Sequence, residues 1–419
     1  MSHYHVYQCC LCGAIYPPQD VLYTCTVDGE NLDIVLNINH LRKEVSPEEI
    51  FKSSEASLWR YLPLLPVSEP GGFGTPLHSV GWTPWYHSSR LAEEFGLHNV
   101  FVKDEGRNPT ASLKDRASAV VVARAKQIDA QTIVTASTGN AGAALAGMAA
   151  ALGSRAVIFA PQSAPQAKIA QLLIFGARVI LVRGNYDAAF DLSIEAAKEF
   201  GWYCRNTGYN PFTVEGKKTA AYEIWEQGLR KLPKTQRQPA VFVSVGDGNI
   251  ISGLYKGFKD LVDLGWLEQM PRLFGIQAEG SAAIFNAFRS GAQQIEPVVA
   301  NTLADSIAVD LPRDGFRALR AVRETQGDYL TVNDAEILEA IPKLGKYGIF
   351  IEPAGAAAFA GLTKACKSGL IQPDDQVIVL NTGNGLKDIK AGMQAVPAPE
   401  VIEPTMEALK KLKNLVSGN

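Results

Sequence analysis

The sequence predicts an α/β fold in which the strands of a parallel sheet alternate with helices, and three observations carry that expectation. From residue 100 to 395, short apolar runs rich in β-branched side chains alternate with Ala-rich helical stretches. Most of these runs are apolar throughout, as strands covered on both faces are. Glycine, asparagine and serine gather just after the runs, where open parallel sheets bind their ligands.

Taken in order, the first 45 residues stand apart. Cys9-Cys10-Leu11-Cys12-Gly13 is followed by Tyr23-Thr24-Cys25-Thr26-Val27-Asp28-Gly29, two knuckles of the kind that give a zinc ribbon its ligand pairs. Asp28 stands where a fourth thiolate would be, so Cys9, Cys12, Cys25 and Asp28 offer a zinc ligand set; the alternative is a β-knuckle that holds its shape without metal. Residues 45–80, with Pro63, Pro66, Pro70 and Gly71-Gly72 among aromatic side chains, read as a packed wrap. Strands are expected at 100–102, 132–136, 156–160, 178–182, 241–245, 273–277 and 377–381. Helices are expected at 141–152, 166–175, 186–200, 216–227, 250–264 and 354–367, with a polar tail helix at 406–415.

Composition narrows the class. Forty basic and 43 acidic residues are interspersed, for a net charge of -3, which gives no electrostatic footprint for nucleic acid or an anionic membrane. No apolar run reaches the roughly 18 residues of a membrane span, and the start Met1-Ser2-His3-Tyr4-His5 has no signal-peptide pattern, so a cytoplasmic protein is expected.

Four loops carry chemistry. Val100-Phe101-Val102 leads through Gly106, Asn108 and Pro109 into a helix that Ser112 is placed to cap, so Lys114 falls on its first turn. There the helix dipole and Arg116 both disfavour an ammonium and favour a nucleophilic amine, against the ordinary alternative of a solvated helix-start lysine. Ser137-Thr138-Gly139-Asn140 opens the next helix with hydroxyl and N–H donors that suit an amino-acid carboxylate, or serve simply as a cap. Gly246-Asp247-Gly248-Asn249-Ile250 opens another, in the manner of a phosphate cradle. Thr382-Gly383-Asn384-Gly385 offers a hydroxyl to a ring nitrogen. Amine, carboxylate cradle, phosphate cradle and hydroxyl together are the parts that pyridoxal 5'-phosphate chemistry requires.

The segments Asn108-Pro109-Thr110-Ala111-Ser112-Leu113-Lys114-Asp115-Arg116, Ser137-Thr138-Gly139-Asn140, Glu215-Gly216-Lys217-Lys218-Thr219 and Thr382-Gly383-Asn384-Gly385-Leu386-Lys387-Asp388 resemble those of threonine synthases. The likeness runs in order over roughly residues 70 to 390, and the cysteine knuckle is also similar to that of many threonine synthases. It implies the tryptophan synthase β-like, fold type II architecture: two parallel-sheet, three-layer domains behind a zinc-ribbon-like segment (1–45). The large cofactor domain would be 46–114 with 213–395, the smaller one 115–212, and the tail helix 396–419.

The resemblance also implies roles. Lys114 would carry the cofactor and move protons at Cα and Cβ. Asn140 would bond the cofactor's phenolic oxygen, Ser137 and Thr138 the substrate carboxylate, Gly246, Asp247, Gly248, Asn249 and Ile250 the cofactor phosphate, and Thr382 the pyridine nitrogen. The implied reaction converts O-phosphohomoserine and water to threonine and phosphate, in a homodimer.

Three departures stand out. Ala111 replaces the family's usual glycine and Leu113 its phenylalanine. Thr213 replaces the arginine that grips the substrate phosphate, which leaves Arg205, Lys217, Lys218 and Arg107 as candidate substitutes. The rivals are a cysteate-synthase-like enzyme using O-phosphoserine, a threonine or serine dehydratase, and a non-catalytic binding protein on the same fold. The absence of a tetraglycine phosphate loop weighs against the dehydratase, and retention of Lys114 with both loops against the silent protein.

Overall fold

Apolar runs pair into two parallel sheets in the computed structural model, which describes residues 4–20, 22–137, 139–164, 166–184 and 186–412. The larger sheet has six strands, ordered Asp328–Val332, Arg272–Ala278, Ala240–Ser244, Gln376–Asn381, Asn99–Asp104 and Trp85–His87. Only Trp85–His87 runs antiparallel, at the edge. The smaller sheet is parallel throughout, ordered Arg178–Val182, Arg155–Pro161, Thr132–Ala136 and Tyr203–Cys204.

Each central strand is buried on both faces. Val241 and Val243 enter one core while Phe242 between them enters the other, so a continuous apolar run serves two layers. Helix Pro353–Lys367 covers one face of the larger sheet, and helix Asn249–Leu264 the other.

The strands expected from the apolar runs all form. Those that were missed lack the signal: Tyr203–Cys204 is two residues long, Trp85–His87 is a partly exposed edge after Pro84, and Asp328–Val332 is an edge of mixed polarity. Helices Ala283–Ser290, Gly315–Glu324 and Asp334–Gly345 were also passed over. The helix expected at 216–227 in fact starts four residues earlier, at Phe212. Gly216 is therefore an interior residue, and a Cβ there would lie 2.1 Å from the Arg116 carbonyl oxygen. Gly253 and Gly257 let Asn249–Leu264 approach the other side of the same helix, where added Cβ atoms would lie 2.7 Å from Lys217 Cβ and 2.4 Å from the Lys218 carbonyl oxygen. These three glycines set contact distances between helices.

The amino-terminal segment is a three-stranded antiparallel sheet, with Tyr4–Cys9 between Ile15–Tyr16 and Leu32–Leu36. The connector is a packed wrap as expected: Leu58, Tyr61, Leu64, Leu65 and Leu77 are fully buried. Among the described residues the tail helix spans Met406–Lys410; the expected span from 413 onward lies outside them.

A buried ion network joins these parts. Arg116 donates from Nε and Nη2 to Glu105, at 2.7 and 2.8 Å, and from Nη1 and Nη2 to Glu223, at 2.5 and 2.8 Å. Lys103 Nζ donates to Glu223 at 2.6 Å, and Glu223 also accepts the backbone N–H groups of Trp82 and Thr83. Burial alone would raise the pKa of Glu223, but Arg116 and Lys103 outweigh it and hold it at about 2. Removing one charge strands the others in a dry interior. Glu223→Gln should therefore lower unfolding stability by about 3–5 kcal/mol, measured as a shift in denaturant midpoint; an unchanged midpoint would refute the network's structural weight.

Candidate active site

Lys114 is placed by its flanking turn. Asn384 N donates to the Ala111 carbonyl and Leu113 N to the Thr382 carbonyl, both at 3.0 Å, so backbone bonds stitch the lysine turn to the Thr382 loop. Asp115 reaches back to the Thr110 N–H at 2.6 Å and to its hydroxyl. Ala111 takes φ of +66°, a left-handed conformation that suits the glycine usual in the family and costs alanine about 1 kcal/mol. The substitution looks mild from side-chain size alone; the strain lies in the backbone.

Two expectations about Lys114 are corrected here. Helix Lys114–Gln127 is preceded by Leu113 without a side-chain cap, and the buried Ser112 hydroxyl has no partner among the described residues. Arg116 points into the ion network and does not depress the lysine. Burial lowers the Lys114 pKa, with help from Arg205, against the opposing charges of Asp247 and Glu352.

A cavity opens in front of the lysine, walled by Lys114, Asn140, the 246–250 turn, Glu352 and Thr382. The turn has the form expected of an anion cradle. Gly248 sits at φ +92°, and a Cβ on Gly246 would come within 2.9 Å of Ile307 Cα. Helix Asn249–Leu264 begins there and directs its first N–H groups at the space. Asp247 brings a buried carboxyl as well, its pKa raised by burial and drawn back by Lys114 and Lys217. An ionised carboxylate only accepts hydrogen bonds, so it is the backbone of Asp247 that suits a phosphate.

Asn140 lies in the wall, where its Nδ2 donates to Glu352 Oε1 at 2.8 Å and Oε2 at 3.1 Å. Glu352 was missed in the sequence because an acid before Pro353 and an Ala-rich run resembles an ordinary helix cap. It makes no capping bond; the carboxyl is buried and its pKa raised by that burial, with Asn140 lowering it. Gly383 makes the room, since a Cβ there would lie 2.1 Å from Glu352 Oε1. Thr382 is buried on the cavity wall.

The expected carboxylate pair is only half described. Ser137 Oγ accepts a bond from Gly139 N at 3.2 Å, and Thr138 lies outside the described residues. Thr213 is buried but is not part of the cavity wall, its hydroxyl donating to the Asn210 carbonyl at 2.8 Å. Of its candidate substitutes, Arg107 is exposed and Lys218 is paired with Glu215 and Asp260 at 2.6 and 2.9 Å. Arg205 and Lys217 are buried, and their charges act on the site.

Residues 77–383 match the family model described as pyridoxal-phosphate dependent enzyme. The threonine synthase of Methanocaldococcus jannaschii is 38% identical over 97% of this chain and 98% of its own length. That of Halalkalibacterium halodurans is 36% identical over 84% and 96%. The chain belongs to the threonine synthase family of pyridoxal-phosphate dependent enzymes. Among solved structures, diaminopropionate ammonia lyase from Escherichia coli superposes with a TM-score of 0.66 at 22% identity, covering 84% of this chain and 93% of that one. A threonine deaminase from Solanum lycopersicum gives 0.63 at 21% identity, covering 81% and 91%. At those identities the likeness bears on the fold, which is the tryptophan synthase β-like one. The donor set fits the family's cofactor: a lysine whose pKa burial lowers, an N–H cradle that side chains would fill, and a hydroxyl on the facing wall.

Proposed function

We propose that this protein is a threonine synthase, converting O-phosphohomoserine and water to threonine and phosphate with pyridoxal 5'-phosphate. The observation that carries the proposal is Lys114, lining one cavity with the glycine cradle and Thr382, in a chain that aligns almost end to end with a threonine synthase relative. Both relatives reported above are threonine synthases that align over most of this chain, and a silent scaffold would not need an amine in the cavity wall.

The cofactor supplies an electron sink for bonds broken at Cα. The chain's own residues supply the rest. Lys114, its pKa lowered by burial, takes and returns protons at Cα and Cβ. Asn140 is oriented by Glu352: the carboxylate accepts from one amide hydrogen and leaves the other to face the cofactor's phenolic oxygen. The 246–250 turn binds the cofactor phosphate, Thr382 meets the ring nitrogen with a neutral hydroxyl, and Ser137 with Thr138 receives the substrate carboxylate.

The amino-terminal knuckle is proposed to hold zinc. One ligand atom from each of Cys9, Cys12, Cys25 and Asp28 lies within 4.8 Å of the others. Cys12 and Cys25 sulfurs are 3.6 Å apart, close to the roughly 3.8 Å that Zn–S bonds of about 2.3 Å impose in a tetrahedron. Cys9 Sγ accepts N–H groups from Leu11 and Cys12, and Cys25 Sγ accepts one from Val27, the support that thiolate ligands need. Gly13 and Gly29 close the two knuckles with φ of +76° and +78°.

A cytoplasmic homodimer completes the proposal. All six cysteines are free thiols, as suits a reducing compartment. Leu386, Ile389 and Met393 expose 67%, 60% and 53% of their surfaces on one short stretch, an apolar strip suited to a second copy.

Purified holoprotein should show an absorbance band near the visible edge that Lys114→Ala abolishes, and should release phosphate and threonine in equal amounts from O-phosphohomoserine. Phosphate without threonine would overturn the assignment. Metal analysis should find one zinc per chain, lost in Cys12→Ser; a metal-free preparation that keeps its amino-terminal sheet would refute the zinc site. Light scattering should give twice the 45.2 kDa chain mass, in protein that fractionates with the soluble cytosol; a monomer would remove the dimer.

A further inference from the structure

Two basic side chains, Arg205 and Lys217, stand beside the cofactor cavity with no carboxylate bonded to either among the described residues. Arg205 and Lys217 are fully buried and Lys114 partly so, and each of the two lysines has its pKa pushed down by burial and by the positive charge of Arg205. Lys217 Nζ donates to a neutral acceptor, Asn249 Oδ1. Arg205 likewise rests on hydroxyls, Ser118 Oγ at 3.2 Å and Thr207 Oγ1 at 2.6 Å, and its buried Nη2 has no hydrogen-bond partner among the described residues. Four carboxyls act on the group. Asp314 is bonded to Arg317 Nε at 2.5 Å and to Asn249 Nδ2 at 2.8 Å, Glu352 to Asn140 and Asp115 to Thr110, while Asp247 makes no hydrogen bond to Arg205 or Lys217 among the described residues. Buried charge held by neutral partners is costly unless an anion joins it.

The position of Lys217 suggests which anion. It lies four residues after Thr213 on helix Phe212–Glu223, one turn along the same face. Gly253 leaves room for its stem, and Gly216 presses that helix onto the Lys114 helix, so the amine is held beside the reacting lysine. Thr213 has no charge to offer and spends its hydroxyl on Asn210.

We propose that Arg205 and Lys217 form the grip for the phosphate group of the substrate, taking over from the arginine that position 213 lacks. The proposal rests on the threonine synthase reading, and names the residues that would select a phosphorylated amino acid over its free alcohol. Arg205 donates through its free Nη2, and Lys217 turns from Asn249 to the incoming dianion. The 246–250 turn remains for the phosphate of the cofactor.

The test uses holoprotein, with inorganic phosphate as a probe that needs no turnover. Calorimetry should show Lys217→Gln and Arg205→Gln weakening phosphate binding roughly ten- to hundredfold, as loss of a charge-assisted bond does. The KM for O-phosphohomoserine should rise in parallel with a smaller change in kcat, while the cofactor's absorbance band and its retention on gel filtration stay as in the parent. Lys217→Gln keeps an amide for Asn249 and removes a buried charge, so it carries the test even where Arg205→Gln does not fold. Unchanged phosphate affinity would overturn the proposal. So would loss of the cofactor from Lys217→Gln, because the lysine would then belong to the cofactor's phosphate. Phosphate binding that weakens in the variants of a protein that makes no threonine would uphold the anion grip and remove the synthase reading alone.

Discussion

The Arg116 guanidinium, caught between Glu105 and Glu223, is the constraint on which the site's geometry depends. Glu105 begins the turn that follows the Asn99–Asp104 strand, Arg116 stands two residues after Lys114, and Glu223 ends the helix that carries Thr213 and Lys217. One buried charge cluster therefore fixes a strand end, a helix start and a second helix end relative to each other. The intervening turn has little freedom left, and it absorbs the remaining strain at Ala111, where φ is +66°. Strain of this kind persists only when the surroundings over-determine it. Here the ion cluster grips one side of the turn and the 382–384 loop grips the other.

This explains both the success and the error in what the sequence says of Lys114. The strand, the turn residues and the helix were legible because apolar patterning and turn chemistry are local. So were the glycine turn at 246–248 and the hydroxyl at 382. The role of Arg116 was not, because the direction of a helix-start arginine is decided by Glu223, 107 positions later in the chain. Glu352 was hidden for a related reason: a carboxylate ahead of a proline and an alanine-rich helix is what a cap looks like, and only the folded chain sets it against Asn140, 212 positions away. Gly216 illustrates the same limit. It reads as a helix boundary, yet it is a contact surface, because what a glycine is for depends on the atom a Cβ would meet.

Charge placement around the cavity follows from these contacts. The ion cluster behind the lysine turn is internally matched, with Arg116 and Lys103 facing Glu105 and Glu223, so it exerts little net pull on the active amine. The cavity side is different. Arg205 and Lys217 bond only to neutral acceptors among the described residues, and Asp247 acts on both without bonding to either. Two consequences follow. Burial, with the like charge of Arg205, lowers the pKa of Lys114, the direction a proton-transferring amine needs. The same two side chains make the cavity a receptor for dianions, of which the cofactor and a phosphorylated substrate each carry one. A site built this way couples its two requirements. On the proposed grip, a substrate phosphate bound at Arg205 would offset a charge that lowers the Lys114 pKa, so the proton affinity of Lys114 would rise as the substrate arrives.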